Sequence, residues 1–177
     1  MKIRSLLAAV ALVSAMPGAA QSVKSEITTS SGIPVTLHAD EFAGRYEYSA
    51  PIVNIDNRSY AIVVAVVEDG KVGPIMIVGS IMYNGDWRRY QTAIFRGGEE
   101  VESSFNDRDV VTCRGSRYGG CSLREGFRLM PTAAQIEKYA TDGELAIQVR
   151  AQSSDAIVIS IPVSHIAAIE EAVAKHR

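Results

Sequence analysis

Histidine, cysteine and tryptophan are scarce in this chain, with three, two and one in 177 residues. The compact signatures of many enzymes are missing altogether. Gly-x-Ser-x-Gly, Ser-x-x-Lys, His-Glu-x-x-His and a phosphate-cradling glycine loop are all absent, which removes the familiar hydrolase and nucleotide-binding frameworks. The only two cysteines, Cys113 and Cys121, are separated by seven residues, unlike the short spacings of zinc sites or the Cys-x-x-Cys of redox pairs. No metal and no cofactor are therefore expected. An excess of basic charge is missing too: 18 Lys and Arg stand against 20 Asp and Glu. That balance argues against nucleic acid as a partner. Nor is there an apolar run long enough to cross a bilayer.

The longest apolar stretch near the start, Ser5 to Met16, follows Lys2 and Arg4 and precedes Pro17 and the small residues Gly18-Ala19-Ala20. Basic, apolar and small-residue regions in that order form an export signal, with cleavage expected before Gln21. Residues 1–20 are thus assigned to a cleaved signal, 21–32 to a flexible, Ser- and Thr-rich leader or weak first strand, and 33–177 to one β-rich domain. Removing Lys2 and Arg4 leaves 16 basic residues against 20 acidic ones, a net charge of about −4. The expected location is the periplasm or the exterior, with no membrane-spanning segment after cleavage.

Strand signals dominate the rest. Residues 60–67, YAIVVAVV, and 73–83, GPIMIVGSIMY, are apolar on both faces, which predicts two central strands covered on both sides. Asp69-Gly70 between them suits a tight hairpin. Asn84-Gly85 then leads to a third strand over 87–95, and the three are expected to form a meander. Residues 109–113 and 121–129 form a further strand pair. Residues 145–150 and 157–161 alternate cleanly around a Ser153-Ser154-Asp155 turn. Thr132 and Gln135 have capping-box spacing for a short helix over 132–140. A second helix occupies the C-terminus, with Ser164 as candidate cap, Ile166, Ile169 and Val173 on one side, and Glu171 four residues before Lys175. The sum is a mainly β fold, an antiparallel sandwich or small barrel of about seven to nine strands with two helices.

Function concentrates around CRGSRYGGC, residues 113–121. An exported chain with two cysteines predicts a Cys113–Cys121 disulfide, and closing so short a loop contributes about 2.5 kcal/mol in the chain-entropy model. With the cysteines opposite each other, Val111 should face Leu123 and Asp109 should face Glu125. Gly115, Gly119 and Gly120 permit a tight reversal that either leaves Arg114, Arg117 and Tyr118 solvated or presents them to a partner. Arg124 adjoins this loop. Arginine is dense from Arg88 to Arg128, which either protects sheet edges or offers a basic face to an anionic glycan, a lipid head group or an acidic envelope protein.

Alternation from Cys121 also puts Glu125 among Leu123, Phe127 and Leu129. Such a carboxylate is either satisfied by an arginine and backbone donors or stands at the mouth of a pocket. Gly126 is a candidate bulge. The catalytic alternative is a hydrolase using Glu125 with Asp109 or with His38, the histidine that has carboxylates beside it. His165 and His176, near the end of the chain, are expected to be solvated. The favoured function is a non-catalytic binding module of the envelope, and a purely structural component is the remaining alternative. The sequence leaves the oligomeric state open.

Overall fold

The computed structural model describes residues 22–113 and 120–175. Residues 1–20, expected to be an export signal, the disulfide loop residues Arg114, Arg117 and Tyr118, and His176 lie outside them. In chain order the elements are β1 (Val23–Thr28), β2 (Pro34–Asp40), β3 (Arg45–Ser49), β4 (Val53–Asn54), β5 (Tyr60–Glu68), β6 (Lys71–Val72) and β7 (Met76–Asn84). They continue with β8 (Tyr90–Ile94), β9 (Glu102–Cys113), β10 (Cys121–Met130), α1 (Ala133–Tyr139), β11 (Ala140–Thr141), β12 (Glu144–Ala151), β13 (Ala156–Pro162) and α2 (Val163–Lys175). Ten strands have five residues or more, and β4, β6 and β11 have two each.

All pairings are antiparallel, and they make a sandwich of two sheets. The larger sheet follows the path β1-β2-β3-β5-β7-β10-β9, with β4 and β6 attached to β5. The smaller joins β8, β11 and β13 to β12. Alternation builds the core between them. Ala61, Val63, Ala65 and Val67 of β5 point inward with Ile77, Ile81 and Tyr83 of β7 and Leu123, Phe127 and Leu129 of β10. Leu145, Ile147, Val149, Ile159 and Ile161 of the smaller sheet join the same cluster, and α2 packs Ile166, Ile169 and Val173 beside them against β2, β3 and β5.

Several local expectations are met in detail. Asp69 and Gly70 both have positive φ, 49° and 73°, and close a two-residue hairpin between Glu68 and Lys71. The capping box of α1 is complete: the Gln135 N–H donates to Thr132 Oγ1 at 3.2 Å, and the Thr132 N–H donates to Gln135 Oε1 at 3.0 Å. Glu171 and Lys175 form the expected ion pair on α2. The Cys113–Cys121 bridge closes β9 onto β10 with the two residues opposite each other.

The segment read as a flexible leader or weak first strand forms the strand β1, which pairs with β2 over Val23–Thr28. Three expectations need correction. Ser164 is no cap, because α2 begins at Val163, directly after β13. The expected third strand forms as β8 but not in the meander: β10 occupies the edge of β7, while β8 crosses to the smaller sheet and pairs with β12. Finally, β5 and β7 are central but covered by a packed layer on one side only. Their outward residues Ile62, Val66, Met76, Val78 and Met82 are half-buried, so the outer face of the large sheet keeps an apolar strip.

Candidate functional site

Glu125 is 1 % exposed, and its environment explains why a carboxylate sits there. The Arg89 N–H donates to Oε1 at 2.9 Å, the Tyr90 N–H to Oε2 at 3.0 Å, and the Arg108 Nε to Oε2 at 3.1 Å. The Tyr83 hydroxyl donates a short bond to Oε1. Two successive amides converge because Arg89 adopts φ 57°, a left-handed conformation that turns the backbone into a small anion cradle. Burial and the bond to Glu125 push the Tyr83 phenol up to about 12. Tyr83 also accepts from the Arg88 N–H at 3.0 Å, and the Arg88 guanidinium lies 4.5 Å from its ring centre.

This knot ties the two sheets together. The carbonyl of Arg89 accepts from the Gln152 N–H at 3.0 Å, and that of Arg88 from the Ser153 hydroxyl at 3.2 Å, so the β7–β8 crossover is fixed to the β12–β13 turn. Arg88 Nε adds a contact to Asp155 at 3.5 Å. Glu125 thus behaves as an internal anion around which the crossover is wound, with every contact aimed at holding it rather than at exposing it.

The sequence-derived acid pairs do not come together. β9 carries an extra residue opposite Ser122 and Leu123, so Val110, not Val111, faces Leu123, Asp109 faces Arg124, and Arg108 faces Glu125. Asp109 is turned to the outer face, where Arg124 holds it at 3.1 Å. A second irregularity lies on β9 opposite Phe127, so Gly126 is not itself the bulged residue. Its missing side chain admits Asp107, whose Cβ would stand 2.9 Å from an added methyl group. His38 is exposed on β2, between Lys24 and Glu47 in register. Four strand steps, about 19 Å, separate β2 from β10. His165 is not solvated as expected: its Nδ1 is buried without a hydrogen-bond partner, and burial lowers its pKa against the opposing pull of Glu144.

The arginines do not share one face either. Arg108 stays exposed while reaching the buried Glu125, and Arg88 lies over Tyr83 at the crossover. Arg96 lines a hollow on the outside of the smaller sheet, and Arg124 and Arg128 lie on the outside of the large one. Arg128 lines one recess there, and Arg124 stands on the same face of β10. A groove of about 460 Å³ crosses β5, β7, β10 and β9 on that outer face, with Tyr60, Ile62 and Val78 on one side and Ser104, Asn106, Asp107 and Arg128 on the other. Register explains its shape. Tyr60, Ser80, Gly126 and Asp107 stand in one row across the sheet, and the glycine leaves the row without a side chain at its centre. Ser80, in the same row and 4 % exposed, has a buried hydroxyl with no partner among the described residues.

Of the residues singled out from sequence, the structure places Arg124 next to this groove, Cys113 and Cys121 at the end of the strands that border it, and Glu125 on the opposite face. Tyr60, Asp107 and Arg128 were not singled out as a site. The available signal was Gly126, since glycine inside a strand commonly marks close approach by another group. Among the described residues no three His, Cys, Asp or Glu side chains converge, and no helix is long and apolar enough to cross a membrane. Compared with protein-family models, curated proteins and solved structures, the chain matches none.

Proposed function

We propose that this protein is a non-catalytic binding module of the cell envelope, with the groove beside Arg124 and Arg128 as its contact surface. The ligand class that fits is an anionic glycan. One observation carries the reading: an exposed tyrosine faces an arginine with no ion pair among the described residues, an aspartate and an asparagine across a row in which Gly126 has no side chain. An aromatic face packs against a sugar ring, carboxylate and amide groups exchange hydrogen bonds with hydroxyls, and a guanidinium engages a carboxylate or sulfate. The disulfide fits an oxidising compartment, where such glycans occur.

Calorimetry with a uronic-acid oligosaccharide and its neutral counterpart tests this. The acidic oligomer should bind more tightly, and raised salt should narrow the difference. Tyr60→Ala should weaken both, whereas Arg128→Ala should weaken the acidic one by about tenfold, the order of one exposed charge-assisted bond. Equal or absent binding of the two oligomers would refute the assignment.

A further inference from the structure

The outer face of the smaller sheet is not uniformly polar. Register sets Thr92 beside Arg150, Ile94 beside Gln148 and Val158 on the other side of Gln148, while Ala93, Val149 and Ile159 turn to the core. Ile94 therefore points away from the core, yet it is only 8 % exposed. Its cover comes from its neighbours on this outer face. Val158 is 55 % exposed, and Ala146, the next outward residue of β12 after Gln148, is exposed as well. Together they make an apolar floor where the outward side of an antiparallel sheet is ordinarily polar.

A hollow of about 610 Å³ stands over this floor. The turn after β8 forms one wall. There the Gly98 N–H donates to the Phe95 carbonyl at 3.0 Å, and Gly97 and Gly98 have φ of 98° and 92°, values that favour glycine. No atom lies within 4 Å of a Cβ added at either glycine, so this wall is bare backbone beside open space. Arg96 and Arg150 line the hollow from its two ends, because Thr92, in register with Arg150, stands four residues from Arg96, about 13 Å in extended chain. Neither guanidinium has an ion pair among the described residues, and neither has Glu100, which lines the same hollow. Arg150 is fixed all the same. Its Nε donates to Gln148 Oε1 at 2.8 Å, which lays the guanidinium along β12 towards the row of Ile94 and leaves its terminal nitrogens without a partner among the described residues.

We propose that this hollow is a second binding site, which takes a small amphipathic monoanion, an aliphatic carboxylate of medium chain length. The carboxylate pairs with the terminal nitrogens of Arg150, since two parallel N–H···O bonds are the favoured geometry of that pair. The chain lies over Ile94, Ala146 and Val158 towards Arg96, and removing these side chains from water supplies the apolar part of the affinity. Two guanidiniums against the Glu100 carboxylate leave the hollow with one positive charge, which matches a monoanion. The volume falls within the ~300–1,000 Å³ of small-ligand sites. An aliphatic floor without an exposed ring separates this ligand from the glycan of the larger sheet, and neither reading depends on the other.

Calorimetry with octanoate, octanol and acetate on the folded protein separates the two halves of the recognition. Octanoate should bind one to one with a Kd on the order of 100 µM, and octanol and acetate each about tenfold more weakly or less. Arg150→Gln should weaken octanoate about fivefold to tenfold and leave octanol unchanged, whereas Val158→Asn, at an exposed position, should weaken both. Glu100→Gln should tighten octanoate by removing a negative charge from the hollow. Amide shifts over residues 92–100 and 146–158 on titration should locate the ligand. No octanoate binding up to about 10 mM overturns the proposal, and so does binding that either variant, folded by its unfolding midpoint, leaves untouched. Octanol bound as tightly as octanoate overturns it too, because the anion would then play no part. Arg128→Ala, in the groove of the other sheet, should leave octanoate unaffected, so the two sites succeed or fail separately.

Discussion

Glu125 is held by four donors, and its removal leaves all four, the amides of Arg89 and Tyr90, the Arg108 guanidinium and the Tyr83 hydroxyl, without this acceptor. Glu125→Ala should therefore cost about 3–5 kcal/mol in urea unfolding, toward the lower end because Arg108 is 42 % exposed and screened. Tyr83→Phe should cost about 1 kcal/mol. Because the folded state holds the Tyr83 proton more tightly than the unfolded one, that stabilisation is complete below pH 10 and is lost as pH rises toward about 12. The phenylalanine variant should lose this component of alkaline unfolding. Gly79 is under a stricter constraint, since an added methyl group would lie 2.1 Å from the Tyr60 carbonyl oxygen; Gly79→Ala should destabilise by about 3 kcal/mol or more. At this scale the sequence revealed the anomaly but not its solution. Alternation alone placed Glu125 indoors, and an arginine with backbone donors was one of its two readings. The particular donors depend on Arg89 at positive φ, a conformation that its residue type does not announce.

At the scale of elements, short-range chemistry was readable and long-range register was not. Asp69-Gly70 and the Thr132–Gln135 pair specify their turn and cap within four residues. The extra residue in β9 is Val111, which nothing distinguishes from its neighbour Val110, yet it moved Asp109 to the outer face and set Arg108 opposite Glu125. The fate of β8 was equally hidden, because β10, forty residues later, competes for the same edge of β7. The docking of α1 gives a test. Glu99 bonds Lys138 Nζ and Tyr139 Oη, both at 2.6 Å, and Gln135 Nε2 at 3.0 Å, while Tyr139 stacks on Phe95. Led by Lys138, these contacts hold the Glu99 carboxyl down at about 2 from an ordinary 4.5. The depressed value makes this support complete above pH 4.5, and it disappears as pH falls toward about 2. Glu99→Gln should shrink the acid-induced drop in unfolding temperature across that window; a profile superimposable on the wild type would contradict the role. Reducing the disulfide should cost about 2.5 kcal/mol, seen first as faster amide exchange near Cys113 and Cys121.

For the whole molecule, one layer of the sandwich is provided partly by a helix. The groove lies on the uncovered side of the large sheet, so ligand binding there leaves the core untouched, and Arg128→Ala should leave the unfolding midpoint unchanged. Ile169→Ala, in the fully buried face of α2, should instead cost about 3 kcal/mol. A mainly antiparallel β fold, sandwich or small barrel, was legible because apolar alternation survives any topology; the location of the groove was not, because it arises from four strands distant in sequence. The same helix decides when the molecule can exist at all. Glu171 accepts from the amide and hydroxyl of Ser30, 141 positions earlier, and Leu37, Tyr48 and Val63 have no complete second wall until residues 163–175 arrive. A chain emerging amino end first therefore presents an unfinished sheet until α2 is available, and closure of the core waits on that helix.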